Sequence, residues 1–301
     1  MSRDRERIAA IDVGSNTVLL TIAEYDPEAG LVVIEDAEDQ PRLGAGLSAT
    51  GRLGEEAIGR AIRALTRMRD TCRRHGVNRI AAVATAAVRE AENGADFVHR
   101  VRSLDIPLRV ISAETEAALS YRSAAHHFPS GSRTLVADIG GGSLELIGAV
   151  NGRVRLTRSL PLGAVRLTEL AVPLTDLRAR IRRELEQAVP GREWLASSLI
   201  GSGGTFASIA AMALARRGSP AASLHGSMVT TPELEELLAS VAAMSPEQRR
   251  RVPGLQPERG DIIVAGLAVA AELLERIGAG GVTVSAFGLR DGLLLEMVGL
   301  V

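Results

Sequence analysis

Apolar runs rich in Ile, Val and Leu occupy residues 7–13, 18–24 and 31–36, separated by turns that contain Gly, Asn or Pro. Runs of that length bounded by turn formers read as strands, so the chain opens on a small β-meander. The period then changes. Between residues 54 and 75 the apolar positions are Ala57, Ile58, Ala61, Leu65 and Met68, the spacing of one helical face, and Gly76 stands where a helix C-terminus favours glycine. Strands at 80–84 and 107–111 alternate with helices at 94–103 and 114–127, the second introduced by Ser112 as N-cap. Such alternation predicts an α/β fold.

A turn-rich break at 127–132 is followed by a restart of the same pattern, with strands at 133–138, 144–150 and 154–160. Further strands are expected at 198–201 and 282–285, and helices near 177–188, 205–215, 233–243 and 261–277. The expected domains are therefore 1–128 and 129–301, with the last helix free to pack back on the first. The restart extends to a repeat: DVGSNTVLL from Asp12 matches DIGGGSLEL from Asp138. Each copy is an apolar strand ending in Asp, a tight turn of Gly and hydroxyl residues, and a second strand.

Such a turn gathers several backbone N–H groups into one concavity, where they donate to phosphate oxygens. Glycine permits the close approach. An Asp at the strand end is placed to hold Mg²⁺ directly or through water. One such loop is most often a plain hairpin turn; two copies at domain-scale separation favour phosphate binding.

Composition narrows the chemistry further. The chain has 301 residues, 46% of them hydrophobic and 24% charged, the profile of a soluble globular protein. Its 35 basic residues are all arginine, which excludes Schiff-base lysines and the P-loop with its GK[ST] ending. With 36 acidic residues the net charge is −1, so no global field recruits DNA or a membrane surface. Aromatic residues make up 2%, too few for base-stacking platforms. Cys72 is the single cysteine, which removes intramolecular disulfides and thiolate zinc sites. The charged first residues lack a signal-peptide pattern and no apolar run is long enough to span a bilayer, so the expected location is cytoplasmic.

The stretches DVGSNT (12–17), RLGAGL (42–47), ATAAVREAEN (84–93), ISAETEA (111–117), DIGGGSLEL (138–146), LPLGAVRLTE (160–169) and GLRDG (288–292) follow one another in that order. As a set they resemble the exopolyphosphatase / guanosine pentaphosphate phosphohydrolase (Ppx/GppA) family, over almost the whole chain. The resemblance implies two ribonuclease H-like domains of the acetate and sugar kinase, heat-shock chaperone and actin superfamily, with an interdomain active-site cleft. It also implies removal of the terminal phosphate from inorganic polyphosphate or from guanosine pentaphosphate, a nucleotide of the stringent response. Mg²⁺ is the implied cofactor, with Mn²⁺ as an alternative and room for a monovalent cation, and a homodimer is the implied assembly. Ala45 stands where many members carry an acidic residue, and the chain matches the short form without a C-terminal histidine-aspartate domain.

Site residues follow from pattern and resemblance together. From the residues alone Glu116 is a solvated first-turn glutamate favoured by the helix dipole; the resemblance makes it the catalytic carboxylate that orients the attacking water, with Glu114 as runner-up. Asp138 and Glu145 flank the second loop and can converge on one Mg²⁺ if their strands form a hairpin, and Asp12 repeats the pattern of Asp138. Glu145 alternates with Leu144 and Leu146, so simple exposure is its other reading. Arg89 is the expected phosphate clamp and Arg42 a second candidate. Loop donors are expected from Gly14, Ser15, Asn16 and Thr17 and from Gly140, Gly141, Gly142 and Ser143. The segment 201–205 (GSGGT) is either a helix N-terminus near an anion or a tight strand-to-helix turn, and the five histidines read as structural or solvated. A hinge is expected near Ser130 and the last helix. Two rivals remain: a phosphotransferase of the same superfamily using ATP or ADP with polyphosphate, and a non-catalytic sensor of guanosine tetraphosphate or pentaphosphate.

Overall fold

A computed structural model describes residues 6–128, 131–189, 194 and 198–300; the expected hinge at Ser130 lies outside them. The chain divides into two compact units, Met1–Ser123 with Leu289–Val301, and Ala124–Gly288. The division falls inside a helix rather than in the turn-rich segment at 127–132 that set the expected boundary. In the sequence that segment is the more conspicuous break, whereas the division follows where each side chain is packed.

In the first unit β1 (Glu6–Val13), β2 (Val18–Asp26) and β3 (Gly30–Asp39) form the expected meander, followed by α1 (Leu47–Thr50), α2 (Glu55–Arg74), β4 (Arg79–Ala84), α3 (Ala86–Glu90), α4 (Gly94–Arg102), β5 (Leu108–Val110) and α5 (Ala113–His127). The sheet order is β3-β2-β1-β4-β5, antiparallel within the meander and parallel from β1 to β4 and β5. β1 is apolar from Ile8 to Ile11 because both its faces are buried there: Ala9, Ile11 and Val13 pack with the face of α2 that carries Ile58, Leu65 and Met68, while Ile8 and Ala10 pack with Leu119 on the other side. α2 ends as its glycine predicts. Gly76 has φ +63°, its N–H donates to Arg73 O, and Val77 N–H donates to Cys72 O, the two bonds of a Schellman cap. Cys72 is buried in the core, and desolvation pushes its thiol up to about 11, which keeps it unreactive.

The second unit runs β6 (Arg133–Ile139), β7 (Leu144–Val150), β8 (Arg153–Leu160), α6 (Ala164–Thr168), α7 (Leu174–Ala188), β9 (Ser198–Ser202), α8 (Gly203–Arg216), β10 (Met228–Thr230), α9 (Thr231–Ala242), α10 (Pro246–Arg249), α11 (Ile263–Ile277) and β11 (Gly281–Val284). Its sheet order is β10-β11-β9-β6-β7-β8. The antiparallel meander β6-β7-β8 continues into parallel β9 and β11, so both units share one topology, as the repeat at 12 and 138 predicted, and it is the ribonuclease H-like plan that the resemblance implied. β10 has three residues, too few to leave a periodic signal. α12 (Leu289–Met297) then belongs to the first unit, where Leu289, Leu293 and Leu294 join Ile8, Ala10, Val83 and Leu119 in one apolar cluster. Among the described residues no helix is long and apolar enough to cross a membrane.

α9 starts on a capping box: Glu233 N–H donates to Thr230 Oγ1 and Thr230 N–H donates to Glu233 Oε2 at 2.9 Å. Arg217 adds two hydrogen bonds to the same carboxylate. The Arg217 guanidinium, with the Thr230 amide behind it, lowers the Glu233 carboxyl to about 2. A depressed folded-state value stabilises the protein above the ordinary carboxylate range and is lost as pH falls through the folded value. Wild type should therefore exceed Glu233→Gln in urea stability at pH 5 by on the order of 1 kcal/mol or less for such a half-exposed pair, and the difference should vanish as pH approaches 2. A gap that stays constant over that window would show that the charge contributes nothing.

Candidate active site

The two repeated loops are built alike. In the first unit Gly14 N–H donates to Thr17 O at 2.9 Å, closing the turn between β1 and β2. The carbonyls behind it are engaged by the RLGAGL segment: Arg42 N–H donates to Asn16 O and Gly44 N–H to Ser15 O. Gly44 is required there, since a Cβ would lie 2.9 Å from Ser15 Cβ. In the second unit Gly140 N–H donates to Ser143 O, while Ala164 N–H donates to Gly140 O and Val165 and Arg166 N–H donate to Gly141 O. Arg166 Nε donates to Gly142 O at 2.8 Å. The LPLGAVRLTE segment is thus a buttress for the second loop as RLGAGL is for the first. The Gly14 and Gly140 amides are spent inside the turns, so donors to an anion would come from the remaining loop amides.

The side chains of the first loop are less available than expected. Ser15, Asn16 and Thr17 are all buried, and Asn16 Nδ2 donates to Thr17 Oγ1 at 3.2 Å and Gln40 Oε1 at 3.5 Å. Asn16 braces the loop with its side chain and offers the backbone to a ligand. Arg42 sits at φ +53°, in the left-handed region that non-glycine residues seldom adopt; its backbone supports the loop.

Arg89 lies on α3, the single turn that follows β4. Asn93 fixes that segment by bonding Leu53 N–H and C=O through its side chain, and Gly94 fits because a Cβ there would stand 2.1 Å from Val88 O. Arg89 Nη1 donates to Ile111 O and to Glu116 Oε2, both at 3.0 Å. The arginine expected to clamp phosphate therefore holds the catalytic candidate, leaving Nε and Nη2 for a ligand oxygen. Glu116 is on the first turns of α5 and is 9% exposed, not the solvated glutamate that its position on a helix start allows. Ser112 caps α5 as predicted, accepting from Thr115 N–H. Glu114 is exposed, and its own backbone amide and the Ser112 hydroxyl hold its carboxyl below the usual range; it serves the cap.

In the second unit the sheet assembles a polar row across four neighbouring strands. Asp138 on β6 is the register partner of Glu145 on β7 and of Ser202 on β9, and Glu145 is the partner of Ser159 on β8. Side chains in one register row share a face. Ser202 Oγ donates to Asp138 Oδ2 at 3.1 Å and Ser159 Oγ to Glu145 Oε1 at 2.8 Å. Glu145 is 2% exposed, so the alternative of simple exposure is corrected: β7 lies between β6 and β8, and its residues 144–149 are all buried. Gly203 walls the other carboxylate, since with φ +82° a Cβ would fall 2.2 Å from Asp138 Oδ1. Desolvation raises the Asp138 carboxyl above its ordinary value, opposed by the Ser202 hydroxyl. The GSGGT segment is thus a tight turn that encloses Asp138.

The equivalent row in the first unit reads Val83, Asp12, Leu19 and Glu38. Leu19 stands where the second unit has Glu145, so Asp12 lacks the cross-strand carboxylate that Asp138 has. The repeat is topological; its chemistry has diverged, with the braced Glu116 in one unit and the carboxylate pair in the other.

A model of the Ppx/GppA phosphatase family matches residues 21–300. The chain belongs to that family. It is 33% identical to Exopolyphosphatase 2 of Mycobacterium tuberculosis H37Rv over 97% of this chain and 99% of that protein, and 29% identical to Exopolyphosphatase 1 of Mycobacterium bovis over 96% and 88%. Among solved structures, an exopolyphosphatase from Cytophaga hutchinsonii superposes with TM-score 0.90 at 25% identity, covering 98% of this chain and 99% of that one. The Ppx/GppA family member of Aquifex aeolicus superposes with TM-score 0.81 at 28% identity over 98% of each chain.

For a Ppx/GppA phosphatase the carboxylate pair has the composition of a magnesium site. Among the described residues no group of three or more His, Cys, Asp or Glu forms a metal cage. Mg²⁺ does not need one, because it keeps several waters and binds through one or two carboxylates and the substrate's phosphates. The desolvated Asp138 beside Glu145 fits that mode. Among the described residues no histidine belongs to such a group; His127 stacks on Phe287 with ring centroids 3.9 Å apart, and His225 packs edge-on against both. Sequence inspection missed Ser159 and Ser202, whose hydroxyls orient the two carboxylates. Their signal is the register row, which no local spacing reveals.

Proposed function

We propose that this protein is an exopolyphosphatase that cleaves the terminal phosphoanhydride bond of inorganic polyphosphate with water. The observation that carries the proposal is the buried Glu116 carboxylate fixed by Arg89. Phosphate-binding loops serve kinases and hydrolases alike, and a positioned carboxylate can take the proton of a water or of a substrate hydroxyl; the likeness to exopolyphosphatases favours water as the nucleophile here. Glu116 Oε1 would accept the proton of the attacking water as its oxygen bonds to the terminal phosphorus. The bridging P–O bond breaks on the opposite side, and the chain leaves one phosphate shorter. Arg89 Nε and Nη2 would face the charge that develops on the equatorial oxygens, and amides within 15–17 and, in the second unit, within 141–143 would be the loop donors to phosphate. Asp138 and Glu145 would hold Mg²⁺, which supplies charge neutralisation of phosphate oxygens when bound; Asp12 is the matching carboxylate of the first unit. Guanosine pentaphosphate ends in the same anhydride and is the second substrate to compare.

The test is phosphate release from short polyphosphate, long polyphosphate and guanosine pentaphosphate in parallel, with Mg²⁺, Mn²⁺ or EDTA. Release from polyphosphate in Mg²⁺ that ceases in EDTA is expected. No release from any substrate, together with tight guanosine nucleotide binding, would replace the hydrolase by a sensor. Phosphate appearing on ADP instead of in solution would make it a transferase.

A further inference from the structure

The first residue of the GLRDG motif at 288–292, Gly288, lies beside the Asp138–Ser202 pair, where a Cβ would stand 3.7 Å from Asp138 Oδ2; the rest of the motif resolves into a set of anchors on the helix that carries Glu116. Both ends of α12 are tied to the sheet of the first unit. At its start Arg290 Nη1 donates to Leu20 O at 3.0 Å, to Thr21 Oγ1 at 2.6 Å and to Asp36 Oδ1 at 2.9 Å. At its end Met297 O accepts from both terminal nitrogens of Arg79 at 3.1 Å. α12 is therefore referenced to β2, β3 and β4.

Between those ties α12 grips α5. Gly292 lies against the backbone of Leu119, where a Cβ would stand 2.3 Å from Leu119 O and 2.8 Å from its carbonyl carbon. That neighbour is main chain and has no rotamer to give. One turn further along α5, Ser123 Oγ, in a residue that is 0% exposed, donates to Asp291 Oδ2 at 2.8 Å. Arg122 and Glu296 add a bond at 3.3 Å on the outer side. Leu119 is three residues and Ser123 seven residues beyond Glu116, so both lie on successive turns of the same helical stripe as the carboxylate.

We infer that Gly292 and the Asp291–Ser123 hydrogen bond are positioning elements for Glu116. They set the depth and axial register of α5 on the sheet, and hence where the carboxylate meets Arg89. This rests on the proposed role of Glu116. Arg89 fixes the carboxylate tip from α3, and α12 fixes the helix beneath it; neither alone defines the distance to an attacking water. A shift of about 1 Å in such a group can cost roughly 10²-fold in rate, which is the scale of displacement that one methyl group at Gly292 demands.

The experiment compares kcat and KM for polyphosphate, with melting temperatures, in Gly292→Ala, Ser123→Ala, Leu65→Ala and Glu116→Gln, and repeats the first two in the Glu116→Gln background. Leu65 is a buried residue of α2, which covers the opposite face of the sheet, and controls for lost stability without touching α5. Expected is a fall in kcat of roughly 10- to 100-fold for Gly292→Ala and a smaller fall for Ser123→Ala. KM should move less than about twofold, and neither change should reduce kcat further when Glu116 is already glutamine. Leu65→Ala should lower the melting temperature and leave kcat intact. If Gly292→Ala does not fold, Ser123→Ala carries the comparison. Wild-type kcat in both variants, a loss matched by Leu65→Ala, or a loss that still multiplies with Glu116→Gln would overturn the inference while leaving the hydrolase intact. Wild-type kcat in Glu116→Gln itself would instead remove the role of Glu116 on which the inference stands.

Discussion

Glu116→Gln is expected to lower kcat for phosphate release by about 10²- to 10⁴-fold, the range of a positioned general base, with little change in KM. The amide is the same size as the carboxylate and still offers an oxygen to Arg89 Nη1, now 3.0 Å from Glu116 Oε2, so α5 should keep its seat and the melting temperature should stay within about 2 °C. What the substitution removes is an acceptor for the water's proton. Steady-state kinetics on polyphosphate beside a thermal melt make the measurement. A variant that is folded and retains more than a tenth of wild-type kcat would move the catalytic role elsewhere on the chain. Charge alone is also separable from geometry, because Arg89 holds Ile111 O as well as Glu116 and keeps α3 in place when the carboxylate is neutralised.

The second large effect is expected from Asp138→Asn. Burial keeps the Asp138 carboxyl above the ordinary aspartate value, with the Ser202 hydroxyl pulling the other way. The ionised form is thus poorly solvated until a cation approaches it. Asparagine keeps the shape and an oxygen for Ser202, which donates from 3.1 Å, so the metal-free variant should melt at or above the wild-type temperature. Wild type should gain stability on adding Mg²⁺ by mass action, and the variant should not. Phosphate release should fall at least 100-fold and need far more Mg²⁺ for half-maximal rate, beyond the 10- to 100-fold typical of losing an outer-sphere partner. The sign with pH follows from the raised value: the Mg²⁺ requirement should climb as pH falls, beginning at a higher pH than an exposed aspartate would give. A variant whose melting temperature responds to Mg²⁺ as wild type does would take Asp138 out of the metal site.

Much of this was available from local pattern. Apolar runs marked β1 and β6 as strands, and the glycine at 76 and serine at 112 marked helix ends because capping chemistry is satisfied within a few residues. The paired Asp-and-glycine turns at 12 and 138 predicted two units of one plan, and the sheet orders agree with them. Glu145 shows where pattern stops. Its neighbours Leu144 and Leu146 imply an opposite, exposed face, yet residues 144–149 of β7 are all buried, so both faces are inside. Alternation reports exposure for a sheet with one wet face, and this one has none at that point. Arg89 shows the same limit from the other side: its motif position marked it as functional, but its partner Glu116 is 27 residues away.

Sequence by itself determined the elements, the duplicated loop design and the residue types capable of phosphate chemistry, because caps, turns and periodicity are decided by contacts a few residues apart. Tertiary structure alone decided which of those residues meet. The row Ser202, Asp138, Glu145 and Ser159 is drawn from four strands, and the grip of α12 on α5 joins residues 168 apart. Such contacts form when buried apolar faces and hydrogen-bond ladders choose their partners across the whole chain, and that choice is a property of the fold rather than of any segment within it.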